Sequence, residues 1–270
     1  MSRTRIDRLF SRLRGEGRPG LIAYITAGDP TPRHTARLVA ALERGGADLI
    51  ELGVPFSDPI ADGPVIQRGS DRALKAGTRL STVLEIAAQI RERSEIPIIL
   101  FTYMNPVLRY GLEKLSKAAV SAGIDGCLLT DLSVEEAGQY VEVMRHAGLD
   151  TVFLGAPTST DERLRLVAQY SSGFIYLVSR TGVTGERHKL SETAAPLVTR
   201  MRAITGLPLA VGFGISNAEQ ARAVGEIADG VVVGSAFVRT IEENAGTAAL
   251  ENKLEDLARE LRSGLTSRNR

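Results

Sequence analysis

Along the chain, apolar runs of four to seven residues alternate with longer stretches in which apolar residues recur at helical spacing. The runs are LIAYIT from Leu21, DLIEL from Asp48, IPIILF from Ile96, GCLLTD from Gly126, TVFLGA from Thr151, FIYLVS from Phe174, LPLAVGF from Leu207 and GVVVGS from Gly230. Most are aliphatic or β-branched throughout rather than alternating with polar positions, as parallel strands are when both faces are buried. Between them lie amphipathic segments such as TPRHTARLVAALERGG, LEKLSKAAVSAG, VEEAGQYVEVMRHAG and NAEQARAVGEIA, several ending in glycine as a helix C-cap does. Eight strand–helix alternations with no break in composition predict an α/β fold, a single-domain (β/α)8 TIM barrel over residues 1–270. A doubly wound open sheet, which needs fewer strands, is the alternative. There is no Pro/Ser linker, low-complexity tract or short tandem repeat.

Ahead of the first strand, Ile6, Leu9, Phe10 and Leu13 fall at i, i+3, i+4 and i+7, which predicts an additional N-terminal helix docked by its apolar face. A transit peptide would also be Arg-rich and amphipathic, but Asp7 and Glu16 interrupt the charge pattern. The spacing predicts elaborated loops after the second and the sixth strand. The first opens as ELGVPFSDPIADGP from Glu51, the other as SRTGVTGERHKLSE from Ser179. Active sites of such barrels are built from loops at the C-terminal ends of strands, and long loops in compact domains are usually functional or disordered.

Side chains alternate across a strand, so Leu49 and Glu51 share one face and Ile50 and Leu52 the other. With Ile50 and Leu52 against the helices, Glu51 points into the barrel mouth. Burial there disfavours its charge and raises its pKa towards neutrality, which suits a group that gives and takes protons. A structural carboxylate paired with an arginine inside the barrel is the other reading. Asp62 shares the proline-rich loop. Asp before Gly-Pro is also ordinary turn chemistry, as at Asp29-Pro30 and Asp58-Pro59. Glycines in VGFGIS and VGSAFV follow the seventh and eighth strands, where barrels commonly bind phosphate on backbone N–H groups. Gly212, Gly214, Gly234 and Ser235 are therefore candidate phosphate ligands, with Gly185 a possible third wall. Tyr24, Tyr103 and Tyr176 sit in or just after strands, as core residues or as walls of an apolar pocket.

Charge alters the picture only by exclusion. A net charge of +1 leaves no electrostatic footprint for nucleic acid or an anionic membrane, and no apolar run approaches the ~20 residues of a membrane span. His34, His146 and His188 are scattered and, with one cysteine, suggest no metal site. That cysteine, Cys127, lies in an apolar run as core filler, and a reduced, cytoplasmic setting fits it.

Taken in order, AYITAGDP, ELGVPFSDPIADGP, TYMNPV, TGVTGER, VGFGIS and VVVGSA resemble the motifs of the tryptophan synthase alpha subunit family along nearly the whole chain. The resemblance implies a lyase that cleaves indole-3-glycerol phosphate to indole and glyceraldehyde 3-phosphate in tryptophan biosynthesis. It implies Glu51 as the main acid/base and Asp62 as the group that assists at the indole ring. It places Tyr24, Leu100, Tyr103, Leu128 and Tyr176 at the substrate. Gly185, Gly214, Gly234 and Ser235 match the phosphate site. Arg180 to Lys189 resembles a lid, with Thr184 near Asp62 when closed. No cofactor is implied for this chain. Pyridoxal phosphate belongs to a beta subunit, the expected partner in an alpha2beta2 heterotetramer. Two positions depart from the pattern. Ser133 stands where proline is expected, near a loop that could affect partner docking. Gly155 stands where a bulkier residue is common, with an expected effect on packing inside the barrel. A stand-alone lyase, a sugar-phosphate isomerase or epimerase and a catalytically silent binding partner are the rival readings.

Overall fold

Burial on both faces draws the apolar runs into one parallel sheet. The structure, a computed structural model, describes residues 4–178, 189–212 and 214–266. Among these residues the strands are β1 (Gly20–Thr26), β2 (Leu49–Gly53), β3 (Ile98–Thr102), β4 (Gly126–Leu129), β5 (Asp150–Val152), β6 (Leu154–Gly155), β7 (Ile175–Val178), β8 (Leu209–Gly212) and β9 (Gly230–Val233). Their order is β5-β4-β3-β2-β1-β9-β8-β7-β6, so the two ends of the sheet are consecutive in sequence. β5 and β6 are the halves of the single run expected at TVFLGA, parted at Phe153. β5 pairs with β4 and β6 with β7, and the carbonyl of Phe153 accepts from the Tyr176 N–H at 3.1 Å. The expected eight-stranded barrel therefore forms, its fifth strand bent across the seam and shared by both neighbours.

The helices are α1 (Arg5–Gly15), α2 (Pro32–Arg44), α3 (Pro64–Lys75), α4 (Leu80–Arg91), α5 (Met104–Tyr110), α6 (Leu112–Ser121), α7 (Gly138–His146), α8 (Asp161–Tyr170), α9 (Lys189–Arg202), α10 (Ala218–Gly225), α11 (Ser235–Asn244) and α12 (Leu250–Ser263). The long connection after β2 holds α3 and α4 where most connections hold one helix. The elaborated loop expected after the sixth strand, now β7, falls largely on residues 179–188, outside the described residues. Among those described, no helix is long and apolar enough to cross a membrane.

Strand alternation sorts the apolar residues into two clusters. Leu21, Ala23, Ile25, Ile50 and Leu52 face the helices, while Ile22, Leu49, Ile99, Leu128, Val152, Phe174, Ala210 and Val232 fill the barrel. Helix α1 starts with a reciprocal cap between Thr4 and Asp7 and adds Ile6, Leu9, Phe10 and Leu13 to the interior cluster. The rings of Phe10 and Phe174 lie 5.8 Å apart. Burying such side chains contributes roughly 1.5–3 kcal/mol each, so the expected docked helix is the floor of the barrel.

The N-terminal rim carries a regularity that the sequence reading did not identify. Asp48, Asp125 and Asp229 each stand one residue before a strand, and Asp150 is the first residue of one. Asp48 donates its N–H to the Leu21 carbonyl (2.8 Å) and accepts the Leu21 N–H on its carboxylate (3.0 Å). Asp125 does the same with Ile98, and Asp229 with Leu209. Each aspartate thus fixes the register of the strand beside it and satisfies a strand-start N–H. Arginines complete the pairs: Arg18 is bidentate on Asp48, Arg5 and Arg91 meet Asp125 at 3.0 and 3.1 Å, and Arg202 meets Asp229.

Asp125→Ala should leave two arginines and the Ile98 N–H without this partner and lower unfolding stability by about 3 kcal/mol in a urea titration. Activity per folded molecule should be unchanged, because this rim lies opposite the loops that build barrel active sites.

Candidate active site

The C-terminal end of β2 is where polarity enters the barrel. Alternation along β2 sends Leu49 inward with Glu51, and Ile50 and Leu52 outward, as expected. Glu51 lies in register beside Tyr24 of β1 and Ile99 of β3 and is 1% exposed. Among the described residues no arginine pairs with it, and Oε1 has no hydrogen-bond partner. Burial alone pushes its pKa to about 8. The reading of a carboxylate paired with an arginine is therefore not what the structure shows.

Asp62 is held by its loop. Its N–H donates to the Pro59 carbonyl (3.0 Å), and its carbonyl accepts from Gln67 Nε2 (2.8 Å). Tyr103, the residue before α5, packs its ring on Phe56 at 5.1 Å, and its hydroxyl accepts the Ala61 N–H at 3.1 Å. Burial raises the Asp62 carboxyl to about 6, opposed by a hydrogen bond from the Tyr103 hydroxyl. One phenol thus secures both the loop backbone and its carboxylate.

A cavity of about 390 Å³ opens between these groups. Glu51, Asp62, Tyr24 and Tyr176 line it, together with Phe101, Leu154, Val178, Val232 and Ile66. The ring of Tyr24 meets Phe101 edge-on at 5.0 Å. Glycines make room for the tyrosines: a β-carbon on Gly53 would stand 2.4 Å from the Tyr24 hydroxyl, and one on Gly212 would stand 2.4 Å from that of Tyr176. Gly214 (φ +74°), Gly234 and Ser235 form another part of the wall. Ser235 begins α11, and Gly234 gives that helix no side-chain cap, so its first N–H groups and its dipole are available to an anion.

The placement of the expected residues is uneven. Glu51, Asp62, Tyr24, Tyr176, Gly214, Gly234 and Ser235 meet at the cavity, and Tyr103 supports it from the Asp62 loop. Leu100 does not. It is fully buried in the helix-facing cluster, because alternation turns Ile99 and Phe101 inward, and Phe101 takes the wall position. Leu128 is buried in the barrel interior but is not part of the cavity wall, and Gly212 is covered by Tyr176 rather than open to an anion. Thr184 and Gly185, with the lid expected over Arg180 to Lys189, lie outside the described residues except for the backbone of Lys189, the first residue of α9. Thr130, Ala61, Gly63 and Pro64 also line the cavity and were missed. The alternation that placed Glu51 would have found Phe101; the loop residues had no comparable signal.

The two departures have local explanations. Ser133 caps the short 3-10 turn Val134–Glu136, accepting the Glu135 N–H and donating to its carboxylate. Gly155 faces outward, not into the barrel: a β-carbon there would stand 2.9 Å from Leu177 and 3.4 Å from Leu164, both in the helix-facing cluster. Among the described residues no group of three or more His, Cys, Asp or Glu could hold a metal.

Comparison with known proteins agrees with this geometry along the chain. A family profile described as "Tryptophan synthase alpha chain" matches residues 10–266. The tryptophan synthase alpha chain of Solibacter usitatus is 67% identical over 98% of this chain and 99% of its own. That of Geotalea daltonii is 48% identical over 97% and 99%. Among solved structures, tryptophan synthase subunit alpha from Legionella pneumophila superposes with a TM-score of 0.90 at 37% identity, covering 97% of this chain and 98% of that one. A chain of tryptophan synthase from M. tuberculosis gives 0.88 at 35%, covering 97% and 99%. With the profile spanning the barrel and a relative 67% identical along almost the whole chain, the chain belongs to the tryptophan synthase alpha chain family.

Proposed function

We propose that this chain, acting as one barrel domain, cleaves indole-3-glycerol phosphate to indole and glyceraldehyde 3-phosphate, with Glu51 and Asp62 as its catalytic carboxylates. The observation that carries this reading is the buried Glu51, without an ion-pair partner among the described residues, in an apolar cavity that also holds the uncapped start of α11 and the secured Asp62. The apolar wall of Tyr24, Phe101, Leu154 and Tyr176 suits an indole ring. Gly214, Gly234 and Ser235 suit the phosphate. From sequence, the reading also takes in Thr184 and Gly185.

The chemistry follows from the two environments. Glu51, neutral at pH 7, gives its proton to indole C3, which moves positive charge onto the ring nitrogen. Asp62, ionised at that pH, accepts a hydrogen bond from the ring N–H and stabilises that charge. Glu51 then takes the proton of the side-chain hydroxyl next to C3. The oxygen's electron pair forms the aldehyde carbonyl as the carbon–carbon bond breaks, and those electrons return to the ring. One proton leaves the carboxyl and one comes back.

The beta subunit is the partner in this reading, in an alpha2beta2 assembly, and pyridoxal phosphate stays with it. Ile60 (87% exposed) and Leu108 (62% exposed) are large apolar side chains left open on the loop after β2 and on α5, and they suit a docking face. The assembly is placed in the cytoplasm.

The test is indole release by the full-length chain supplied with indole-3-glycerol phosphate. Glu51→Gln and Asp62→Asn should each lower kcat by about 10²–10⁴-fold. Failure of the folded wild-type chain to release indole, with or without a beta subunit, would sink the lyase reading.

The kcat/KM of the free enzyme should be bell-shaped, rising as Asp62 ionises near 6 and falling as Glu51 ionises near 8. Asp62→Asn should remove the acid limb.

Glu51 also makes stability depend on pH. Its folded pKa lies above the ordinary 4.5, so the folded chain holds a proton that the unfolded chain has released between about 4.5 and about 8. Stability is full below that window and falls as pH rises through it. Glu51→Gln should match wild type in Tm near pH 4.5 and exceed it by several degrees at pH 8.5.

A further inference from the structure

At the C-terminal rim, one buried carboxylate other than Glu51 takes part in an ion pair among the described residues. Asp29, just beyond β1, is 0% exposed. Arg72 of α3 grips it with a full fork: Nε donates to Oδ1 and Nη2 to Oδ2, both at 2.8 Å. The remaining arm of the same guanidinium, Nη1, donates to Glu242 Oε1 of α11 at 2.7 Å. Arg68, one turn earlier on α3, closes on Glu242 with two bonds of 2.8 Å. The helices meet without slack, since a β-carbon on Gly69 would stand 2.9 Å from Val238 of α11 and 3.2 Å from Asp29 Oδ2.

The elements joined are the ones that hold the two ends of the cavity. Helix α3 continues directly from Asp62 and Gly63, and α11 starts at Gly234 and Ser235. We infer that Arg72 is a positioning residue, a brace that sets the separation between the Asp62 loop and the phosphate end and so aligns the substrate's C3 with Glu51. The inference rests on the lyase reading. A substrate held at both ends has its reacting atom placed by the distance between them, and a displacement of about 1 Å can cost about 10²-fold in rate. The pairs at the opposite rim, Asp48 with Arg18 and Asp125 with Arg91, lie at the far ends of the strands and bridge neither the Asp62 loop nor the start of α11. A planar five-donor fork suits the task because it bonds two carboxylates in fixed directions at once, which an ammonium cannot do.

The test uses the full-length chain and two variants that spare the buried charge. Glu242→Ala leaves the fork on Asp29 intact, and Arg72→Lys keeps a cation beside Asp29. Both are compared with Glu242→Gln, which retains an acceptor for Arg72. Steady-state cleavage of indole-3-glycerol phosphate is measured together with the separate affinities for glycerol 3-phosphate and for indole. The brace predicts a fall in kcat of about tenfold in the first two variants, with KM and both fragment affinities within about twofold, and partial recovery in Glu242→Gln. Fragments bound singly do not sense the separation, so a merely structural defect would not produce this split. Unchanged kcat in folded variants, or a loss of glycerol 3-phosphate affinity that matches the loss in rate, overturns the inference while an active wild type leaves the lyase reading standing. A wild type that releases no indole overturns both.

Discussion

Burial of the parallel strands on both faces is the constraint from which the rest follows. A strand packed between a filled barrel and a ring of helices has little place for a polar side chain except at its ends. Polarity is therefore concentrated at two rims. At the N-terminal rim it is spent on closure, where Asp48, Asp125 and Asp229 each hold a neighbouring strand by N–H and carboxylate together. At the C-terminal rim, Glu51 has no ion-pair partner among the described residues and Asp62 is held by a tyrosine.

The difference between the rims is electrostatic. Asp48 and Asp125 each meet arginines. Glu51 has no ion-pair partner among the described residues and is neutral over the range in which Asp62 becomes ionised. Two carboxylates in one cavity thus stand ready as an acid and an anion at the same pH. Their separation in pKa comes from position: a deeply buried strand end for one, and a half-exposed loop with a hydroxyl donor for the other.

Much of this could be read from the sequence. Unbroken apolar runs gave the barrel, the 6-9-10-13 spacing gave the floor helix, and alternation along DLIEL gave the direction of Glu51. The same alternation, applied to IPIILF, selects Phe101 over Leu100, because Ile99 and Phe101 share the inward face; a resemblance of motifs does not carry that register. Gly212 looked like a phosphate glycine because it sits in a glycine-rich strand end, whereas the need it meets is space for Tyr176. The seam at Phe153 left no mark, since a strand shared between two neighbours has the same composition as one that is continuous. The aspartates at the strand starts were visible as ADLIEL, IDGCLL, LDTVFL and ADGVVV. Their meaning needed the cross-strand partner, which lies 20 to 27 residues away for the three reciprocal pairs.

Helix α1 has a consequence beyond its packing. With Leu9, Phe10 and Leu13 set into the floor, the barrel is closed at that end by described residues, and its cavity opens at the other. What enters past the Asp62 loop must leave by the same side, so a protein that receives the aromatic product directly has to sit over that rim and cannot wait beneath the barrel.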